Sequence, residues 1–230
     1  MLMCHHVYEE VLDIINFFDD VSFDDGLYSV YKYRNKITSK NKILFITPKL
    51  VNQTNYNKCT SAKDAMYSHF VLHDNSPYMT IQHIIEMSKL GFKIGYHGFT
   101  HDVIIHGFNK NQIPTNSWRF YKYPELVGKE KYYIIDSCLS CAGYRIKNGI
   151  SRISEDEYQT RVYAEIRDML SFFSVYDIPI FPFFAPPFNS INSFLESVIR
   201  EYLPDVQIFS SERKDICELV PNYYNWKGEN

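Results

Sequence analysis

Four clusters of polar residues have the types and spacing to do chemistry: Asp24 with Asp25, His97 with His101, the stretch Ala185 to Asn189, and His5 with His6. One carboxylate and two imidazoles make a borderline-hard donor set, suited to zinc or to another divalent cation such as cobalt, nickel, iron or manganese. Three protein donors leave positions open for water and substrate, as catalytic rather than structural sites do. The second carboxylate of an adjacent pair then stays free as a base. Each cluster alone has a plainer reading. Asp-Asp-Gly is a common turn ahead of a helix, with an aspartate as N-cap. A His-x-x-x-His pair arises often by chance, and its rings share a face only if the segment is helical.

The elements around these clusters argue that they meet. The first third of the chain alternates short β-type runs with amphipathic helical runs, the pattern of βα units around a parallel sheet. Leu2 to His5 reads as a strand, Tyr8 to Phe18 as a helix, and Val21 to Phe23 as a strand ending at Asp24, Asp25 and Gly26. Leu27 to Ile37 reads as a helix and Lys42 to Thr47 as an apolar strand closed by Pro48. Thr80 caps a helix that Gly91 stops, and Phe92 to Gly95 is a strand running into His97. Ser154 to Tyr176 is a helix, Ile178 to Phe184 a buried strand, and Ser193 to Tyr202 a further helix. All four polar clusters thus fall where strands end, the edge on which parallel sheets and barrels bind ligands. The polar, irregular stretch from about 49 to 78 reads as an excursion over the surface. The stretch from about 106 to 151 reads as a long insertion with one strand at Tyr132 to Asp136. A single domain over 1–230 carries both.

Three of the clusters resemble a known family in detail. Val21-Ser22-Phe23-Asp24-Asp25-Gly26 resembles the first motif of the NodB-type polysaccharide deacetylases (carbohydrate esterase family 4-like). Ile94-Gly95-Tyr96-His97-Gly98-Phe99-Thr100-His101, with its preceding helix and strand, is similar to the second, and Phe184-Ala185-Pro186-Pro187-Phe188-Asn189 to the third. The matches fall in family order from Val21 to about Phe209. The resemblance implies an α/β fold, a distorted (β/α) barrel of about seven parallel strands. It also implies that Asp25, His97 and His101 hold the metal and that Asp24 is the general base. Pro187, Phe188 and Asn189 would contact substrate, with a backbone N–H of that loop at the oxyanion.

Two departures stand out. Ala185 occupies the place of the third-motif arginine that pairs with the base, and no histidine follows His106 to serve as the family's C-terminal acid. Leu2-Met3-Cys4-His5-His6-Val7, however, resembles the opening of the biofilm poly-N-acetylglucosamine deacetylases, in which the last motif is moved to the front by circular permutation. That resemblance implies His5 as the general acid, with His6 on the opposite face of the strand. The implied activity is removal of an N-acetyl group from an amino sugar of a surface polysaccharide or its precursor. A deformylase or other amide hydrolase, or a catalytically weak sugar-binding homologue, is the alternative that the two departures keep open.

Bulk properties argue against two classes of partner and leave the carbohydrate to rest on the resemblance. The formal net charge is -3 and no basic run tracks phosphates, which argues against nucleic acid. The most apolar stretch, Ile178 to Phe188, is short and holds Pro179, Pro182, Pro186 and Pro187, so no transmembrane segment is expected. Five cysteines make an odd number for a disulfide framework, and a cytoplasmic location fits. Cys138 and Cys141 form a lone Cys-x-x-Cys that reads as packing. Aromatic residues make up 17% of the chain and read mostly as core, with Tyr96, Phe99, Trp118 and Phe188 as candidates for stacking on a sugar. His69, His73 and Asp136 are weaker candidates for the pocket wall.

Overall fold

The structure is a computed structural model and describes residues 1–107, 122–123, 134–146 and 149–228. Trp118 lies outside the described residues. Seven strands among them form one all-parallel sheet: β1 (Leu2–Cys4), β2 (Asp20–Phe23), β3 (Asn41–Ile46), β4 (Lys93–Tyr96), β9 (Ile180–Phe184), β10 (Gln207–Ile208) and β11 (Lys214–Asp215). Their order, β10-β9-β4-β3-β2-β1-β11, curls as a half-barrel left open between β10 and β11. The expected distorted barrel of about seven parallel strands is thus observed. β1 is not an edge: it pairs with β2 on one side and with β11 on the other, where Met3 stands opposite Asp215.

Alternation along the strands sorts the side chains into two layers. Leu2, Cys4, Val21, Phe23, Leu44, Ile46, Ile94 and Phe184 face the helices and join the main core. Ile43, Phe45, Ala185 and Phe209, with Met1 and Phe183 partly covered, line the concave side. Gly95 belongs to that side because a Cβ there would come within 2.8 Å of the Phe45 ring.

The helices follow their sequence signals. α1 (Leu12–Phe17) and α2 (Tyr28–Lys32) are shorter than the periodicity suggests, each being prolonged or preceded by a 3-10 turn. α4 (Ile81–Lys89) starts at a capping box in which Thr80 and His83 satisfy each other's backbone amides, and Gly91 at φ +84° ends it. α5 (Glu155–Val175) is capped by Ser154 and buries Tyr158, Val162, Ile166, Met169 and Phe173 as one stripe. α6 (Ser193–Tyr202) begins at Asn192, whose side-chain oxygen accepts from Leu195 N at 2.8 Å.

Three expectations need correction. The stretch 49–78 is not a surface excursion: it contains α3 (Ala62–Leu72), and Leu50, Ala62, Ala65, Met66 and Tyr78 build a second core with Val103, Ile105 and Ile135. The helix is weakly amphipathic in sequence because its buried side includes Ala62, Ala65 and Ser68 while Leu72 is exposed, which blurs the apolar stripe. The stretch 106–151 is not loop with a single strand. β5 (Val103–Gly107), β6 (Ile134–Ser137), β7 (Tyr144–Ile146) and β8 (Ile150–Arg152) form an antiparallel sheet of order β6-β5-β7-β8. Its strands are too short for their alternation to register. β9 is not fully buried either, since Phe181 and Pro182 are exposed near its start.

Candidate metal and hydrolytic site

The carboxyl ends of β2, β4 and β9 come together at the open mouth of the half-barrel. Asp24 still follows strand geometry, its amide donating to Cys4 O at 2.9 Å. The chain then breaks away: Asp25 has φ +72° and Gly26 φ +77°, two consecutive left-handed residues that swing Asp25 out of the strand. Aspartate tolerates that region, and Gly26 enters it free of the strain that a Cβ would bring at φ +77°.

His97 leaves β4 with its amide on Ile46 O and its carbonyl accepting from Thr47 Oγ1 at 3.0 Å. Its Nδ1 lies 2.7 Å from Ala185 O. A carbonyl can only accept, so Nδ1 carries the hydrogen and Nε2 presents a lone pair to the site. The segment to His101 is not a helix. Gly98 at φ +73° passes close to Pro187 and Leu139, and His101 itself stands at φ +55°. The two histidines therefore meet through a turn rather than along a helical face.

Glu165, from the flank of α5, holds that turn. Its Oε2 accepts from the amides of Phe99 at 3.2 Å and Thr100 at 3.0 Å, and its Oε1 accepts from Thr100 Oγ1 at 2.7 Å. Burial nevertheless pushes the Glu165 carboxyl above its ordinary pKa, with Asp102 adding to the rise. Sequence periodicity assigns α5 to the core and gives no hint of this second duty.

Asp25, His97 and His101 converge. Asp25 Oδ1 is 3.2 Å from His97 Nε2 and 3.3 Å from His101 Nε2, and one donor atom from each residue falls within 4.8 Å of the other two. Bonds of about 2.0–2.1 Å at tetrahedral angles put ligand atoms roughly 3.3 Å apart, so the spacing suits one small cation. Asp25 Oδ1 has no partner in hydrogen-bonding geometry, although it is buried. A buried carboxylate oxygen without a donor, facing two imidazole nitrogens, fits a cation ligand better than a hydrogen-bonded cluster. Burial would raise the Asp25 carboxyl, but His101 and then His97 beside it hold it well below its ordinary range. Burial also brings His101 down to about 4, so its imidazole is neutral at pH 7. For His97 the Asp24 and Asp25 carboxylates outweigh burial and leave its pKa above the ordinary value.

Asp24 has a counterion that the sequence motifs do not announce. Arg213 Nη1 donates to Asp24 Oδ1 at 2.6 Å, and Nη2 donates to Asn189 Oδ1 at 2.6 Å. Arg213 is buried, its side chain 1% exposed, and the guanidinium lies over the Phe45 ring, 5.4 Å from its centroid. Asp24 thus has a guanidinium partner although the third-motif resemblance offers only Ala185, and that partner approaches from the turn before β11. Burial alone would raise Asp24, but Arg213 and then His97 hold its carboxyl below the ordinary value. Two carboxylates against one guanidinium leave one negative charge to be balanced by a cation or by a proton on His97.

The remaining expected residues divide. Pro187, Phe188 and Asn189 form a 3-10 turn beside the triad, with the Phe188 ring 4.6 Å from that of His101. Phe188 and Asn189 both have positive φ, at +61° and +53°, a strained pairing that Arg213 helps to hold. Pro187 has no amide hydrogen, and the Asn189 amide donates to Pro186 O at 3.0 Å, so neither supplies an oxyanion donor. His5 sits just past the end of β1, following Cys4, whose carbonyl accepts from the Asp24 amide. His6 is fully buried, stacked on Tyr223 and Trp226, away from the site. Tyr96 cannot stack on a sugar, because it is buried edge-on against Phe173 in the main core. His73 is exposed at the end of α3, and His69 is tied to Asn75. All five cysteines are free.

The fold has solved relatives. The chain matches the BpsB deacetylase domain from Bordetella bronchiseptica with a TM-score of 0.52 at 15% identity, over 85% of this chain and 69% of that one. It matches a de-N-acetylase from Aggregatibacter actinomycetemcomitans with a TM-score of 0.50 at 12% identity, over 79% of this chain and 59% of that one. No family model and no curated protein matches the sequence. The chain therefore has the NodB-type deacetylase fold, at an identity where the likeness is one of fold. Among the described residues no helix is long and apolar enough to cross a membrane.

Proposed function

We propose that this chain is a metal-dependent hydrolase that removes an N-acetyl group from an amino sugar of a surface polysaccharide or its precursor. The observation that carries the reading is the convergence of Asp25 Oδ1, His97 Nε2 and His101 Nε2 beside a carboxylate, Asp24, that takes no part in the triad. Both solved relatives are described as deacetylases, and they share the fold.

A divalent cation held by Asp25, His97 and His101, zinc before cobalt, nickel, iron or manganese, would supply Lewis-acid polarisation of an acyl carbonyl and a more acidic water. The chain's own groups do the rest. His97, locked by Ala185 O, and His101, locked by the turn on Glu165, keep their nitrogens aimed at one point. Asp24 accepts the proton of the attacking water, with Arg213 fixing the carboxylate so that Oδ2 faces the site. His5 returns a proton to the nitrogen that leaves. Phe188 and the held side chain of Asn189 form the substrate-side wall. Five unpaired cysteines suit a reducing compartment, so a cytoplasmic precursor is the substrate we favour.

Acetate release from N-acetylglucosamine oligomers and nucleotide-linked N-acetyl sugars, measured with metal content on the same samples, tests this reading. Asp25→Ala and His97→Ala should lose both metal and turnover. Full turnover in the metal-free protein would end it. Product mass separates deacetylation from deformylation, and sugar binding without release would indicate the weak homologue.

A further inference from the structure

The Tyr224 hydroxyl stands between the His5 ring and the Asp215 carboxylate. Its oxygen lies 3.0 Å from His5 Nδ1, and 3.2 Å from Asp215 Oδ2 and 3.4 Å from Asp215 Oδ1. A phenol has one hydrogen to give, and an ionised carboxylate only accepts. The hydrogen therefore goes to Asp215, and the phenol oxygen is left to accept from His5 Nδ1–H. Burial, reinforced by Asp215, pushes the Tyr224 pKa upward, so the phenol keeps its proton.

The surroundings hold this arrangement from three sides. Asp215 is at the end of β11, paired beside β1, and its Oδ1 caps the following 3-10 turn by accepting from Cys217 N at 3.0 Å. Tyr223, the preceding residue in the same turn as Tyr224, uses its own hydroxyl on the backbone: it accepts from His5 N at 3.1 Å and His6 N at 2.9 Å and donates to His6 O. The Tyr224 ring meets the His5 ring edge-on, with centroids 5.6 Å apart. Consecutive tyrosines thus grip the backbone and the ring of the same histidine.

We propose that Tyr224 is the positioning residue for His5, fixing the neutral ring as its Nδ1–H tautomer so that Nε2 is the nitrogen that handles the substrate's proton. The inference rests on the reading of His5 as the acid. In the cleavage step the imidazolium carries hydrogen on both nitrogens. As the C–N bond breaks, its electron pair stays on the leaving nitrogen, which takes the Nε2 proton. Nδ1–H remains on the Tyr224 oxygen, and the ring is left neutral. Asp24 gains one proton from water and His5 loses one, so exchange with solvent resets both. No proton travels through Tyr224.

Nitrogen-15 spectra of histidine-labelled protein, with His5 assigned by its disappearance in His5→Gln, report the tautomer directly. The expected wild-type signal is that of Nδ1–H, and Tyr224→Phe should shift it toward the Nε2–H form common in free imidazole. Tyr224→Phe should lower kcat about 10- to 100-fold, the usual effect of losing an outer-shell partner, with KM and metal content unchanged. Adding Tyr224→Phe to His5→Ala should then cost nothing further. Asp215→Asn, which keeps the shape, should loosen the tautomer in the same direction and serves if Tyr224→Phe fails to fold. A wild-type His5 in the Nε2–H form, or a tautomer unmoved by both substitutions, overturns the proposal. Absence of deacetylation by the wild type overturns the activity reading instead, since the tautomer is read without substrate.

Discussion

Arg213 and Asp24 stand 189 positions apart in the chain, yet their buried side chains share a 2.6 Å charge-assisted hydrogen bond. The pair sits on the concave face of the sheet, with Ser22 and Asn189 also within reach of the guanidinium. Removing one partner of a buried pair leaves the other charge uncompensated. Arg213→Met should therefore lower stability by about 3–5 kcal/mol in denaturant titrations. Arg213→Lys keeps the charge but loses the planar fork that reaches Asp24 and Asn189 together. It should restore most of the stability and little of the turnover, and equal recovery of both would contradict a role in aiming Asp24.

Glu165 acts on the same site from the other side. It binds the backbone between His97 and His101, so its loss should relax His101 without touching any donor atom. Glu165→Ala should weaken zinc binding about 10- to 100-fold, read by competition with a chromogenic chelator. Glu165→Gln retains a side-chain acceptor and should recover part of that loss. An unchanged affinity in Glu165→Ala would show that the turn holds itself.

The legible and illegible parts of this site differ for a physical reason. Asp25, His97 and His101 lie in compact motifs at the ends of regular strands, where local pattern and strand polarity place them together. Arg213 does not: it precedes β11, a strand of two residues, and nothing local distinguishes it from a surface arginine between Glu212 and Lys214. Tyr224 and Asp215 are hidden in the same way, in short turns whose partners are at the opposite end of the chain. The parallel sheet was readable from βα alternation and its barrel-like curl from the family resemblance, whereas α3 and the antiparallel β5 to β8 sheet were not. Their core is assembled from single buried residues contributed by many short elements, which leaves no periodic trace. The rings of His97 and His101 meet through backbone at positive φ, a route that side-chain spacing does not encode.

Asp25 Oδ1 is a buried acceptor with no hydrogen-bond donor in geometry, and such a group costs roughly 1–3 kcal/mol or more when charged. Adding zinc to chelator-treated protein should therefore raise the thermal midpoint, by an amount corresponding to about 2.7 kcal/mol once free metal is a hundredfold above its Kd. Asp25→Asn should abolish most of that response. Calcium and magnesium, which prefer all-oxygen shells, should give little shift, and a shift equal to that of zinc would argue against an imidazole-based site.

His6 ties the C-terminal segment to the start of the chain as a neutral ring. Its Nδ1 accepts from the Ala62 amide at 3.3 Å at the head of α3, and its Nε2 donates to Tyr223 O at 3.2 Å. The ring stacks on Tyr223 at 4.0 Å and on Trp226 at 5.4 Å and is fully buried. Burial lowers its pKa from 6.5 to about 3, with the neighbouring His5 contributing. The unfolded chain therefore binds a proton more readily than the folded one. The stabilisation is fully present above pH 6.5 and is lost progressively as the pH falls from there toward 3. The slope is about 1.4 kcal/mol for each pH unit in that window. His6→Gln keeps a donor and an acceptor but does not titrate. In urea titrations from pH 7.5 to 4.5 it should be less stable than wild type at the upper end and lose stability less steeply on acidification. Parallel curves would show that His6 does not govern the acid sensitivity of this fold.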